Sequence, residues 1–208
     1  MKARVYVLVL FVLSIAWVCR ADNPSQEAVG AKIAGAARSQ IGVTTQYDPK
    51  YVSLKYPGGD VPIGTGVCSD VVVRAVRGVG LDLQKEVHED MTAHFGDYPH
   101  KWGLKKPDRN IDHRRVPNLM TYFRRKHVGM DEKLAVATTY APGDIVAWDL
   151  GGGLLHIGVV SDRKAGDVPL IIHNIGAGAQ EEDVLFRYRV IGHYRLKATA
   201  QTSDVPAR

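Results

Sequence analysis

The chain has 208 residues, a formal net charge of +5 at pH 7, 45% hydrophobic residues and two cysteines. This composition excludes a disulfide scaffold, a cysteine-rich zinc module, a collagen-like or disordered chain and a multi-span membrane protein. The length suits one domain with a proper hydrophobic core.

The first 21 residues show the three-part pattern of a secretory signal peptide. A short basic start is followed by an apolar run from Val5 to Val18 and by the small residue Ala21. The apolar run is shorter than the roughly 20 residues of a membrane span. The pattern predicts cleavage after Ala21, a periplasmic or secreted protein, and no integral membrane association once the leader is removed.

Removal of the leader changes both the charge and the cysteine count. The leader holds three of the 27 cations and no acid, so 24 cations remain against 22 acids and the formal charge falls to +2. This small excess argues against a nucleic-acid partner. Cys68 is then the only cysteine, and a lone thiol in an oxidising compartment is expected to be either buried or used.

The first half of the mature chain is predicted to be helical. Apolar residues recur at helical spacing in four segments, and Gly78 ends the second of them. The stretch from Tyr47 to Gly66 is rich in proline and glycine, which indicates a loop. The predicted helices cover residues 25–41, 68–77, 83–95 and 116–126.

The second half is predicted to form strands. Runs of β-branched and aromatic residues are separated by turns, and the first run follows Pro142-Gly143. Short connections favour antiparallel pairing, so the expected fold class is α+β, with helices first and an antiparallel sheet afterwards. A single domain is expected over residues 22–197, followed by a disordered tail over residues 198–208. The predicted strands cover residues 144–148, 157–160, 170–172, 184–188 and 190–196.

Cys68 follows a glycine-rich loop and opens the second predicted helix. Unpaired backbone N–H groups and the helix dipole at this position favour a thiolate, and the sulfur is expected to face outward from the turn. The alternative is a small buried hydrophobic residue, which is the most common state of a free cysteine.

Two histidines on neighbouring predicted strands are candidates for the base that this thiol needs. His156 stands at the start of a strand after three glycines, and His173 lies 17 residues later, near the end of the next strand. If these strands form a hairpin, His173 can fix the tautomer of His156, as the third member of a catalytic triad does. The alternative for each histidine is a structural or surface residue.

A set of motifs in one order resembles the NlpC-type cysteine peptidases of the papain-like superfamily. From residue 47 to residue 175 the chain carries a Gly-Gly loop, a Cys-Ser pair that opens a helix, a Pro-Gly-Asp strand start, a His-hydrophobic-Gly strand and a second histidine. In this sequence the motifs are Gly58-Gly59, Cys68-Ser69-Asp70, Pro142-Gly143-Asp144, His156-Ile157-Gly158 and Ile171-Ile172-His173. More narrowly, the chain resembles a bacterial family named domain of unknown function 1287 over Tyr56–Pro62, Gly66–Val72, Asn110–Asn118, His173–Gly176 and Gly192–Tyr194.

The resemblance implies a papain-like fold and a hydrolase that cuts an amide or peptide bond, with the stem peptides of peptidoglycan as its substrate. It implies Cys68 as nucleophile, His156 as general base and His173 as the orienting residue. Tyr56 and Tyr51 are then candidates for the hydroxyl that supports the oxyanion. Such an enzyme needs no cofactor and no metal, and we expect a monomer.

The sequence departs from the NlpC-type pattern at Asp70 and in an added segment between residues 83 and 126. Asp70 replaces a glycine, and its carboxylate is expected to raise the thiol pKa, to cap the helix or to bind a substrate amine. Three interpretations of residues 112–115 stay open. They could form a wall that binds a substrate carboxylate, or a buried polar network. They could also form a metal site together with His88 and Asp90, although the spacing of these ligands along the chain is irregular. The substrate-binding candidates are Asp70, Asp112, His113, Arg114, Arg115 and Asn174.

Two other functions stay open. An acyltransferase or a lipid-directed thiol hydrolase would use the same triad with a more apolar acceptor site, although the order cysteine, histidine, histidine favours the peptidase arrangement. A non-catalytic cell-wall-binding module would carry an inert thiol that alkylates slowly at every pH.

Overall fold

The computed structural model describes residues 24–130 and 136–197, and the predicted leader (1–21) and tail (198–208) lie outside the described residues. The helices are α1 (Pro24–Arg38), α2 (Cys68–Arg77), α3 (Leu83–Ala93) and α4 (Val116–Arg125). The strands are β1 (Gln46–Tyr47), β2 (Thr65–Gly66), β3 (Ile145–Asp149), β4 (Leu155–Ala165), β5 (Val168–His173), β6 (Gln180–Glu182) and β7 (Arg189–Tyr194).

Five of these strands form one antiparallel sheet in the order β6-β5-β4-β3-β7. The strands β1 and β2 form a separate two-residue parallel pair in the loop before α2. The four α-helices of the described residues and the antiparallel sheet that follows them confirm the predicted α+β class.

One predicted strand is wrong. Residues 184–188 form a turn, in which the Arg187 N–H donates to the Val184 carbonyl at 3.1 Å. Leu185 is fully buried within this turn, and its carbonyl accepts the indole N–H of Trp148 at 2.9 Å. The strand of this region is β6 instead, and its sequence Gln-Glu-Glu carries no apolar alternation that would predict a strand.

The helices pack on one face of the sheet and enclose the main hydrophobic core. Side chains alternate along a strand, so Ile145 and Ala147 of β3 join this core while Val146 and Trp148 join a second cluster on the opposite face. α2 packs against β4, and all its residues from Cys68 to Val76 are buried. None of the helices in residues 24–130 and 136–197 is long and apolar enough to cross a membrane.

The two edges of the sheet differ. Residues 128–130 run along β7, where the Met130 N–H donates to the His193 carbonyl at 2.7 Å and the Arg195 N–H donates to the Val128 carbonyl at 2.9 Å. At the opposite edge, β6 has three residues and two of them are glutamates. The second of these, Glu182, lies beside the end of β5 that carries His173.

Candidate active site

Cys68 is the first residue of α2 and is only 5% exposed. Burial raises the pKa of its thiol to about 11, although the backbone N–H groups of Ile157 and Ser69 point at the sulfur and favour the thiolate. The protonated thiol is therefore the resting form at neutral pH. The start of a helix favours the thiolate, as expected from the sequence. Here the loss of solvation raises the thiol pKa by more than the backbone N–H groups lower it, so the thiolate is not the resting form.

His156 on β4 and His173 on β5 are in contact. His156 Nε2 lies 2.8 Å from His173 Nδ1, and His173 Nε2 lies 3.0 Å from Glu182 Oε2, with the carboxylate off the axis of the ring N–H. Both imidazoles are buried. Gly158 makes this packing possible, because a Cβ at that position would lie 3.1 Å from the His173 Cβ and 2.8 Å from Ile171 Cγ2. We call these three residues the His156–His173–Glu182 relay.

The two histidines are neutral at pH 7. Burial, together with the neighbouring His173, lowers the pKa of His156 to about 3. Burial also lowers the pKa of His173, and Glu182 opposes this shift. Of two neutral rings in contact, one donates and the other accepts. If His156 donates from Nε2, its Nδ1 keeps a lone pair, and His173 then carries its proton on Nε2, beside Glu182.

Ile157 lies between the thiol and the relay. Its backbone N–H faces Cys68 Sγ, and His156 precedes it on β4. Among the described residues, no hydrogen bond joins Cys68 Sγ to an imidazole, and the His156 ring packs 5.9 Å from the Trp148 ring. Catalytic hydrogen bonds in unliganded enzymes often tighten only when substrate binds. His156 is paired with Trp148 and shares its face of the sheet, whereas Cys68 packs with Ile157 on the helix face. Direct proton transfer from Cys68 to His156 therefore requires the start of β4 to rearrange.

A cleft of about 400 Å³ opens at Cys68, and we call it the Cys68 cleft. The added segment supplies one wall, and the start of β4 with the residues before it supplies another. Cations are present in the lining, whereas acidic side chains are not among its described residues. The lining includes Tyr47, Lys101, Trp102, Arg114, Arg115 and Leu154.

The tyrosine in the cleft is Tyr47, which the sequence did not indicate. Its pKa is raised by burial and then by the nearby Cys68 and Asp70. The predicted candidates lie elsewhere: Tyr51 donates to Asp108 at 3.0 Å outside the cleft lining, and the edge of the Tyr56 ring meets an imidazole of α3. Tyr47 lines the same cleft as the thiol because β1 pairs with β2, the strand that leads into α2.

Asp70 and Arg114 form a buried ion pair beside the nucleophile. Arg114 donates from Nε to Asp70 Oδ1 at 2.9 Å and from Nη2 to Asp70 Oδ2 at 3.0 Å. Asp70 also caps α2 by accepting the Val67 N–H at 2.7 Å. The remaining Arg114 contacts are the carbonyls of Lys50 and Asp48. Both predicted substrate-binding candidates are thus used to hold the added segment against the helix that carries Cys68.

Three other predicted candidates do not line the Cys68 cleft. Asp112 accepts a backbone N–H, and its burial raises its pKa to about 6. His113 is buried, and this burial followed by the charge of Arg114 lowers its pKa to about 4. Asn174 donates to the Gly66 carbonyl at 2.9 Å and fixes the loop before α2. The contacts of Asp112 and Asn174 fit the interpretation of a buried polar network, whereas His113 Nδ1 is buried without a hydrogen-bond partner among the described residues.

Arg115 is the candidate that lines the cleft and has N–H donors without a described hydrogen-bond partner. Its guanidinium lies 4.2 Å from the centre of the Trp102 ring, and its Nη1 is 3.4 Å from Asp112 Oδ1. No described hydrogen bond involves its Nε or Nη2.

The residues considered for a metal site are engaged in other contacts. Asp90 accepts from the Tyr98 hydroxyl and from Arg125 Nε, each at 2.7 Å, and His88 packs against Tyr56. Within residues 24–130 and 136–197, no group of three or more His, Cys, Asp or Glu side chains is arranged to hold a metal ion.

Comparison with known proteins places the chain in a family. The model of a domain of unknown function (DUF1287) matches residues 34–196. The chain belongs to the DUF1287 family. It is also 63% identical over 164 residues to "Uncharacterized protein YijF" of Escherichia coli (strain K12), covering 78% of this chain and 80% of that protein.

The DUF1287 match includes the whole site. The residues that line the Cys68 cleft and those of the relay all fall between residues 34 and 196. Of the helices and strands that the structure describes, only the beginning of α1 precedes the match. The cleft and the relay are therefore parts of the DUF1287 domain itself.

Proposed function

We propose that this DUF1287 protein is an exported thiol hydrolase that cleaves an amide bond in peptidoglycan stem peptides, on an NlpC-type papain-like fold. The observation that supports this most strongly is a cysteine at a helix start whose sulfur faces the backbone N–H of Ile157, the residue that follows the first imidazole of the relay. The order of motifs along the chain supports the NlpC-type assignment, and the leader pattern supports export.

The first chemical step is proton transfer from the resting thiol, after the start of β4 has rearranged to bring His156 to the side of Cys68. Because the pKa of Cys68 is about 11, a standing thiolate–imidazolium pair is disfavoured and His156 acts as a general base. Its Nε2 is held by His173, so the proton goes to Nδ1. Glu182 favours the tautomer of His173 that carries its proton on Nε2 and leaves Nδ1 free to accept from His156. The negative charge of Glu182 also stabilises the imidazolium that forms at His156.

The remaining steps follow from the positions around the sulfur. The Cys68 sulfur bonds to the carbonyl carbon, and the oxyanion accepts hydrogen bonds from the Cys68 backbone N–H and the Tyr47 hydroxyl. His156 returns the proton to the nitrogen as the C–N bond breaks, which leaves a thioester. The same imidazole then takes a proton from water, whose oxygen bonds to the acyl carbon, and the thiol is restored as the acid departs.

Digestion of purified sacculi tests the proposal. The mature chain is incubated with sacculi and with soluble muropeptides, and new amino and carboxyl groups are identified by mass spectrometry. We expect cleavage by the wild type and its loss in Cys68→Ala and His156→Gln, with residual cleavage in His173→Ala. His127→Asn is the matched control, because this exposed histidine has a φ of 54°, which asparagine tolerates.

Two results would overturn the proposal. One is cleavage that survives in Cys68→Ala, which would place the chemistry elsewhere. The other is binding of sacculi by wild type and Cys68→Ala alike with no new end group, which is the behaviour of a wall-binding module.

A further inference from the structure

The exposed ring of Trp102 sits at the rim of the Cys68 cleft in an unusual backbone conformation. Trp102 has a φ of 60° and remains 51% exposed. Few residues other than glycine adopt this region, and such strain, of about 1–3 kcal/mol, concentrates at functional sites. The strained backbone presents the ring to the Arg115 guanidinium, 4.2 Å from its centre, which is a cation–π stacking distance.

Arg115 is a mostly buried cation whose hydrogen-bonding capacity is largely unused. Its side chain is 16% exposed, and its one described hydrogen bond is the long contact from Nη1 to Asp112. Arg114, next to it in sequence, differs in this respect, because Asp70 and two carbonyls take up its donors. A guanidinium fixed on an aromatic ring with free donors matches the planar, two-oxygen geometry of a carboxylate.

The charge of the cleft favours the same ligand. Lys101 and Arg115 both line the cleft, and the third cation, Arg114, is balanced by Asp70 behind the wall. Asp112, whose Oδ1 lies 3.4 Å from Arg115 Nη1, is buried and is not among the lining residues. An anionic group that enters the cleft therefore meets Lys101 and the Nε and Nη2 donors of Arg115, with no acidic side chain in the described lining.

We propose that Arg115, stacked on Trp102, is a carboxylate-recognition subsite of the Cys68 cleft, which selects peptide substrates that carry a free carboxylate close to the scissile bond. This inference rests on the proposed function for the meaning of the scissile bond. The binding itself can be measured without turnover.

The first test uses two alkylating reagents that differ only in their terminal group, which is a carboxylate in one and a carboxamide in the other. N-iodoacetylglycine and N-iodoacetylglycinamide both alkylate Cys68, the only thiol after residue 21, and only the first carries a carboxylate. We expect the acid to label the wild type about fivefold faster than the amide at low salt. This ratio should fall to about one in Arg115→Gln and recover in part in Arg115→Lys, which restores the charge without the planar fork. Lys105→Gln, outside the cleft, should leave the ratio unchanged.

The second test does not depend on the reactivity of the thiol. N-acetylglycine and N-acetylglycinamide are titrated into Cys68→Ala while the indole N–H resonance of Trp102 is followed. We expect a saturable shift with the acid alone and its loss in Cys68→Ala/Arg115→Gln. Inorganic phosphate at the same concentration should compete weakly.

The outcomes separate the two proposals. Equal labelling by both reagents, or a Trp102 shift that Arg115→Gln leaves intact, overturns the subsite even if sacculi are digested. A ratio and a shift that both depend on Arg115 support the subsite even if sacculi are not digested, in which case the proposed function fails alone.

Discussion

Asp70 and Arg114 join the helix of the nucleophile to the segment that forms one wall of its cleft. Two parallel contacts of 2.9 and 3.0 Å connect them, and their side chains are 4% and 2% exposed. The carboxylate two residues after Cys68 therefore serves the architecture of the site, as a cap for α2 and an anchor for the added segment.

Loss of one partner of this pair should destabilise the protein strongly. Arg114→Met leaves Asp70 as an unpaired buried charge, which costs about 3–5 kcal/mol. Urea unfolding followed by circular dichroism measures this change. Asp70→Leu/Arg114→Met should be more stable than Arg114→Met, because the unpaired charge is gone. Arg163→Met removes an exposed guanidinium from Glu181, which keeps Arg38 as a partner, so it should change the free energy of unfolding by less than about 1 kcal/mol. A double variant that is no more stable than Arg114→Met would contradict the assignment.

Removal of the Tyr47 hydroxyl should slow turnover without affecting the thiol. In the proposed mechanism this hydroxyl donates to the oxyanion, and loss of one such donor costs about 100-fold or more in kcat. We expect Tyr47→Phe to show this loss in the release of soluble fragments from sacculi, with its rate of iodoacetamide labelling unchanged. Tyr51→Phe is the control, because Tyr51 bonds to Asp108 away from the cleft. Equal effects of the two substitutions would remove Tyr47 from the oxyanion site.

Neutralisation of Glu182 should change the pH profile as well as the rate. Glu182 raises the pKa of His173, so Glu182→Gln should shift the acidic limb of kcat/KM to lower pH and reduce kcat by roughly tenfold. Asp183→Asn, the adjacent exposed carboxylate, should do neither. A lower rate with an unmoved acidic limb would mean that Glu182 only supports the local structure.

His113 should make the folded protein less stable as the pH falls. Its pKa is about 4 when folded and 6.5 when free, so between these values the unfolded chain binds a proton that the folded chain does not. The contribution is present above pH 6.5 and is lost on acidification by about 1.4 kcal/mol per pH unit. His156 acts in the same direction, whereas Asp112, whose pKa is raised to about 6, acts in the opposite direction below that pH.

The slope of the unfolding free energy against pH isolates the contribution of His113. Measured in urea between pH 4.5 and 6.5, the slope for His113→Gln should be smaller than that of the wild type by about 1.4 kcal/mol per pH unit. His127→Asn should keep the wild-type slope, since His127 is exposed. If His113→Gln keeps it too, His113 is protonated in the folded state.

The sequence predicts the helices well because their signal is local. Apolar residues at helical spacing and a glycine at the end of α2 are enough to locate that helix within a residue. The wrong strand at residues 184–188 shows the limit of this approach. Val184 and Leu185 are apolar because a turn buries them against Trp148, and a burial signal alone does not distinguish a turn from a strand.

The parts of the site that the sequence did not predict depend on long-range contacts. Tyr47 lines the same cleft as Cys68 only through the β1–β2 pair, which has two residues on each strand and no hydrophobic pattern. The high pKa of Cys68 depends on burial by β4, a strand that lies about 90 residues away in sequence. Glu182 reaches His173 from a polar edge strand without a sequence signature.

The position of Glu182 at the edge of the sheet has a consequence for solubility. Edge strands with free N–H and C=O groups invite pairing with a second chain, and charged residues on a short strand discourage it. Residues 128–130 cover β7, whereas β6 is protected by its length and by its two carboxylates. Substitution of Glu182 by a neutral residue therefore removes one of the charges that oppose edge-to-edge aggregation. The substitutions that this position tolerates are thus restricted by solubility as well as by the contact with His173.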